Sequence, residues 1–121
     1  MCQILQASIY GLDARPMNPL DYHVLLALAG GPLYGYAIKD AVAAESAETL
    51  TPRAGSLYRV IGRLLVMGLL RETDPKGETP AHPGHERRYY ALTAAGKRAL
   101  SAEAQRLKGA AAMAAKRLGI S

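Results

Sequence analysis

The segment from Thr51 to Gly68, TPRAGSLYRVIGRLLVMG, places Leu57, Val60, Ile61, Leu64 and Leu65 at helical spacing. A stripe with that period specifies an amphipathic helix whose apolar face must lie on a core. Thr51 can cap its start through the hydroxyl, Pro52 suits the first helical position because its missing N–H would be unpaired there, and Gly68 supplies a stop. Ser56, Arg59 and Arg63 fall together on the opposite face, with Arg53 just ahead of them. Arginine presents a fixed fork of donors that matches guanine edges or phosphates. Two arginines one turn apart on a core-anchored helix therefore suit a DNA major groove. A solvated cationic face is the plain alternative, and the rest of the chain decides between them.

At 121 residues the chain has the length for one domain with one core. Half of it is hydrophobic, yet Trp and Phe are absent, which leaves Leu, Ile, Val, Met, Ala and parts of seven tyrosines to build that core. The single cysteine, Cys2, cannot form an internal disulfide and carries no catalytic signal. No apolar run approaches the roughly 20 residues that span a bilayer, and the first residues lack the basic-then-apolar order of a secretory signal, so a soluble, cytoplasmic protein is expected.

The net charge of +5 is unevenly spread. Residues 18–50 hold one lysine against four acids, a balance of −3. Residues 51–98 hold nine cations against four acids, +5, and residues 99–121 hold four cations against one acid, +3. The excess sits with the candidate reading helix, as expected of a nucleic-acid binder.

Residues 1–17 read as an arm, either a short added element or a partly ordered terminus. Asn18 followed by Pro19 is a cap and first-turn pair for a helix running to about Ala29, with Leu20, Val24, Leu25 and Leu28 on one face. After Gly30, Gly31 and Pro32 a second helix begins near Tyr34 or Gly35 and runs to around Ala44. A short connection then leads to the Thr51 helix, in the manner of a helix-turn-helix. Leu69 to Thr73 reads as a strand, and Arg87 to Leu92 as a second. The loop between them, Asp74 to Glu86, carries three prolines and two glycines and suits no regular ladder. Three helices followed by strand, loop and strand specify a mainly α, α+β winged helix-turn-helix with a two-stranded β-wing, in which the hairpin lies over the DNA backbone beside the reader.

Thr93 caps a last helix from about Ala94 to Leu118, closed by Gly119. Leu100, Ala104, Leu107, Ala111, Ala114 and Leu118 alternate spacings of four and three along it, a heptad seam. The partner expected for that seam is the same helix, or the first helix, of a second copy. Plain high-propensity filler is the alternative. The chain thus divides into an arm (1–17), a winged helix-turn-helix domain (18–93) and a C-terminal dimerisation helix (94–121).

Three blocks, GPLYGYAI at Gly31 to Ile38, GSLYRVIGRLLVMGLL at Gly55 to Leu70 and RRYYALTAAGKRAL at Arg87 to Leu100, resemble the PadR-type transcriptional regulators in order and spacing. The resemblance covers roughly Leu20 to Leu118, and the single last helix is similar to that of the short-chain subgroup. It implies a repressor that binds a palindromic operator in double-stranded DNA as a homodimer. The block from Gly55 would be the recognition helix, Ser56, Tyr58 and Arg59 would match its Ser/Thr-Leu-Tyr-x pattern, and Tyr36 and Lys39 would touch phosphate from the supporting helix. Arg87 and Arg88, at the mouth of the wing, are expected to hold phosphates.

Enzymatic activity is not expected. The chain has no phosphate-cradling glycine loop, no nucleophile elbow and no paired histidines on a helix. His82 and His85 could begin a metal site only by recruiting a third ligand such as Glu86 or Cys2, so neither metal nor cofactor is assigned. No small-molecule effector can be named from the residues. A winged helix serving only as a protein–protein adaptor is the alternative function, and steep salt dependence of duplex binding would separate the two.

Overall fold

The structure, a computed structural model, describes residues 17–73 and 88–120. The arm of 1–16, the loop of 74–86 with His82 and His85, and Arg87 lie outside the described residues. Helix α1 (Pro19–Ala27) runs into a 3-10 turn (Leu28–Gly30). Strand β1 (Leu33–Tyr34), helix α2 (Gly35–Glu45), helix α3 (Ala54–Val66), strands β2 (Leu70–Thr73) and β3 (Tyr89–Leu92), and helix α4 (Ala94–Leu118) follow.

Local chemistry sets most of these boundaries. Asn18 Oδ1 accepts the Leu20 N–H at 2.8 Å with Pro19 at the first helical position. Thr93 Oγ1 accepts the Gly96 N–H at 3.0 Å while its hydroxyl donates to the Gly68 carbonyl at 2.6 Å, so one side chain both starts α4 and ties it to the end of α3. Gly119 ends α4 in the left-handed conformation, φ 69°, which only glycine adopts without steric cost.

The start of α3 departs from the expected Thr51–Pro52 cap. Its N-cap is Arg53, in extended conformation with no side-chain cap, and the helix begins at Ala54. The cause lies in the preceding turn. Leu50 is half-buried against the core and its N–H is held by Ser46 Oγ at 3.0 Å, so residues 51–53 are spent carrying the chain from that anchor to the helix.

The strands form one antiparallel sheet in the order β1-β3-β2. Leu70 pairs with Leu92 and Thr73 with Tyr89, while Leu33 and Tyr34 pair with Tyr90 and Tyr89. The expected two-stranded wing is thus the larger part of a three-stranded sheet. Strand β1 is two residues long, too short for an alternating pattern to show, and it pins the start of α2 to the sheet.

The core gathers Val24, Leu25 and Leu28, Ile38 and Val42, Leu57, Val60, Ile61 and Leu64, then Leu69, Leu70, Tyr90, Leu92 and Ala99. Burying each large aliphatic side chain is worth about 1.5–3 kcal/mol, so the apolar stripe of α3 is its main anchor. The seam of α4 is divided. Gly96, Ala99 and Glu103 are buried and Leu100 and Ala104 half-buried against the body of the chain, whereas Leu107, Ala111, Ala114 and Leu118 are exposed.

Candidate nucleic-acid interface

Helix α3 stands with Leu57, Val60, Ile61 and Leu64 in the core, and that orientation turns Arg53, Tyr58 and Arg59 outward with Ser56 half-buried beside them. Because no side chain caps its start, the first N–H groups of α3 are not taken up by a capping side chain, and the positive end of the helix lies among these residues. Tyr58 packs across the start of α2 against Gly35, where a Cβ would collide with the tyrosine hydroxyl. Tyr36, the next residue of α2, is two-thirds exposed, and Lys39 Nζ sits 5.8 Å from its ring centre. Exposed Tyr36 and neighbouring Lys39 on α2 thus stand beside Tyr58 of α3, the helix whose uncapped start also carries exposed Arg53 and Arg59.

Arg63 departs from its expected place. The sequence places it beside Arg59 for groove or phosphate contact. Its two terminal nitrogens instead donate to both carboxylate oxygens of Asp21 in α1, at 2.8 and 2.7 Å. The Asp21 side chain is one-tenth exposed and that of Arg63 about half exposed. The hydrogen bonds to Asp21 raise the Arg63 pKa further above its ordinary value, so the guanidinium stays charged. Asp21 carries no signal for this role in the sequence. It reads as an acid suited to a helix first turn, and its partner lies 42 residues away.

On the sheet, Arg88 approaches Glu72 at 3.4 Å across the β2–β3 pair, with both side chains exposed. Such a surface pair contributes about 0–1 kcal/mol and yields readily to another anion. Behind it Tyr90 is buried. Burial, with the Glu72 charge and Tyr58 adding to it, pushes its phenol above the usual value, so it stays neutral.

The turn between α2 and α3 was not foreseen in detail. Ala47 and Glu48 both have positive φ, 53° and 65°, which costs a non-glycine residue on the order of 1–3 kcal/mol. Buried Ser46 holds the turn: its hydroxyl bridges Ala43 O and Leu50 N–H, and Thr49 Oγ1 donates back to Ser46 O at 2.7 Å.

Among the described residues no group of three or more His, Cys, Asp and Glu is placed to hold a metal, and no helix is long and apolar enough to cross a membrane.

Helix, turn and outward-facing helix, followed by a hairpin on the same sheet, define a winged helix-turn-helix. Residues 24–102 match the model of the transcriptional regulator PadR-like family, and the chain belongs to that family. Among solved structures, a PadR family transcription regulator of Clostridium difficile superposes with a TM-score of 0.66 at 22% identity, covering 84% of this chain and 99% of that one. A PadR family regulator from Eggerthella lenta gives 0.58 at 26% identity over 96% and 93% of the two chains. Bacillus subtilis PadR, solved in complex with operator DNA, gives 0.58 at 26% identity, over 72% of this chain and 46% of that one. The sequence is also 40% identical over 87 residues to an uncharacterized 37.1 kDa protein of transposon TN4556 from Streptomyces fradiae. The match covers 72% of this chain but spans only 22% of that relative's length.

Proposed function

We propose that this PadR-family regulator is a repressor that binds a palindromic operator in duplex DNA as a homodimer, with α3 in the major groove. The observation that carries this reading is the orientation of α3: its apolar stripe is consumed by the core, which leaves Arg53, Ser56, Tyr58 and Arg59 and the uncapped helix start facing outward. Helix N-termini and arginine forks are the groups that meet phosphates and guanine edges. Tyr36 and Lys39 flank the reader and suit phosphate contact, as do Arg87 and Arg88 beside the wing. The operator complex of the Bacillus relative supports the same reading. Residues 18–93 act as the DNA-binding unit and residues 94–121 as the dimerising one, with Leu107, Ala111, Ala114 and Leu118 meeting their counterparts and Leu100 and Ala104 at the edge of that contact. No cofactor or metal enters the proposal, and the site of action is cytoplasmic DNA.

Titration of the purified chain against duplex from the region flanking its own gene, at several salt concentrations, tests the proposal. Affinity falls linearly in log–log form with salt if phosphates are neutralised. Arg59→Ala lowers operator affinity about tenfold or more, the loss expected for one base contact of ~1–3 kcal/mol, and leaves the melting temperature unchanged. Salt-independent binding, or unchanged operator affinity in Arg59→Ala, would favour a protein–protein adaptor instead.

A further inference from the structure

We infer that Asp21 holds Arg63 away from DNA and so, without touching DNA itself, limits how strongly the reading helix binds duplex of any sequence. The inference rests on the DNA-binding reading above and adds to it the reason one of the three arginines around α3 is withheld.

The pair is asymmetric. Asp21 sits at the third position of α1 with its carboxylate almost wholly enclosed, and both of its oxygens are engaged by the Arg63 fork. Arg63 lies in the last turn of α3 with half its side chain already in solvent. A phosphate competing for Arg63 would leave a buried carboxylate unpaired, and an uncompensated buried charge is far costlier than one surface contact is favourable. Arg63 therefore stays with Asp21 when DNA arrives.

Arg63 is one helical turn from Arg59 on the same polar face, where side chains four residues apart are neighbours at roughly 5–6 Å. Freed from Asp21, it would add a cation to the surface that carries the reader. Binding to phosphate is blind to sequence, whereas Arg59 and its neighbours at the start of α3 are placed to read it. One fewer free cation lowers the affinity for duplex of every sequence by about the same factor, which limits how much of the regulator a genome of competing sites retains. The contrast with Arg88 is consistent. Its pair with Glu72 is single, longer and exposed, and so remains exchangeable for phosphate.

The test is fluorescence-anisotropy titration of the full chain against an unrelated duplex over a range of salt concentrations, with melting temperatures measured in parallel. Asp21→Asn keeps the shape of the side chain and removes its charge. It is expected to steepen the log–log salt slope by about one unit and to raise affinity for unrelated duplex several-fold at low salt. Asp21→Asn combined with Arg63→Gln returns the slope to the wild-type value. Arg63→Gln alone leaves the wild-type slope in place, and the double variant, in which no buried charge is left unpaired, keeps the test readable if either single variant fails to fold: a double-variant slope about one unit shallower than wild type also overturns the inference. A wild-type slope in Asp21→Asn, or a slope about one unit shallower in Arg63→Gln, overturns the inference while the DNA-binding reading stands. Wild-type protein that binds duplex without salt dependence overturns both.

Discussion

The two halves of α4 are one continuous helix under different rules. From Ala94 to Ala104 the helix belongs to its own chain: Gly96, Ala99 and Glu103 are buried, and Ala95 and Leu100 pack on the core. Glu103 takes both Nε and a terminal nitrogen of Arg106, at 2.9 and 2.5 Å, and also accepts the Met17 backbone N–H. Beyond it the side chains open to solvent, and Leu107, Met113 and Leu118 are 38%, 50% and 71% exposed. In this helix of 25 residues the buried side chains lie within the first three turns, and the remaining turns are mostly exposed. Isolated helical segments are marginal in water, so a distal half rich in alanine gains its order from propensity and, in the proposed dimer, from a second copy.

Substitutions on the two halves should therefore fail in different ways. The largest effect is expected from Leu107→Asp. In the single chain this side chain is already 38% exposed, so the melting temperature of the monomer changes little. In the dimer the carboxylate is trapped at the interface, sedimentation shifts to monomer, and operator affinity drops about a thousandfold, toward the non-specific level. A dimeric Leu107→Asp that binds operator normally would erase the distinction between the halves.

Gly96→Ala is the proximal counterpart. A Cβ there collides with the Leu69 carbonyl oxygen, so the expected loss is about 1–3 kcal/mol of folding stability, read by urea unfolding, with the dimer otherwise intact.

Glu103 gives the proximal half a pH signature. The hydrogen bond from Arg106 holds its carboxyl below the usual carboxylate range; burial opposes this and the Met17 N–H assists it. A depressed folded-state value contributes stability above the unfolded value of about 4.3 and loses it as pH falls through the folded value. Glu103→Gln should therefore melt below wild type at neutral pH, and the gap should close on acidification below about pH 4. A gap that persists at low pH would mean the loss is one of packing rather than charge.

The smallest effect sharpens the contrast most. Gly109 lies in the distal half with nothing within 4 Å of where its Cβ would stand. Gly109→Ala should stabilise by about 0.5–1 kcal/mol, the helix-interior preference for alanine, so the same substitution changes sign along one helix. Destabilisation on a scale matching Gly96→Ala would show that something packs over Gly109.

What the sequence displayed plainly is what short-range chemistry decides. The Asn18–Pro19 and Thr93 caps, the stop at Gly119 and the stripe of α3 each lie within one or two turns of chain, and each stands in the structure where its residues put it. The anchoring of Leu50 by Ser46, which moved the start of α3 from Thr51–Pro52 to Arg53, depends on a turn with two left-handed non-glycine residues that no turn signal announces. Strand β1 exists because Tyr89 and Tyr90 offer it a ladder, not because Leu33 and Tyr34 show a pattern. In the candidate site, the outward Arg59 and the half-buried Ser56 were legible from the period of α3, whereas Tyr58 and Tyr36 were singled out only by the resemblance to the PadR-type regulators. The commitment of Arg63 to Asp21 was not, since an ion pair between helices leaves no mark on either helix alone.

The proposed role of the distal half of α4 in joining two copies is open to sedimentation equilibrium of the unaltered chain across a concentration series at moderate salt. Twice the chain mass at micromolar concentration, with dissociation on dilution, is the expected result, whereas a single-chain mass throughout the series would rule that role out.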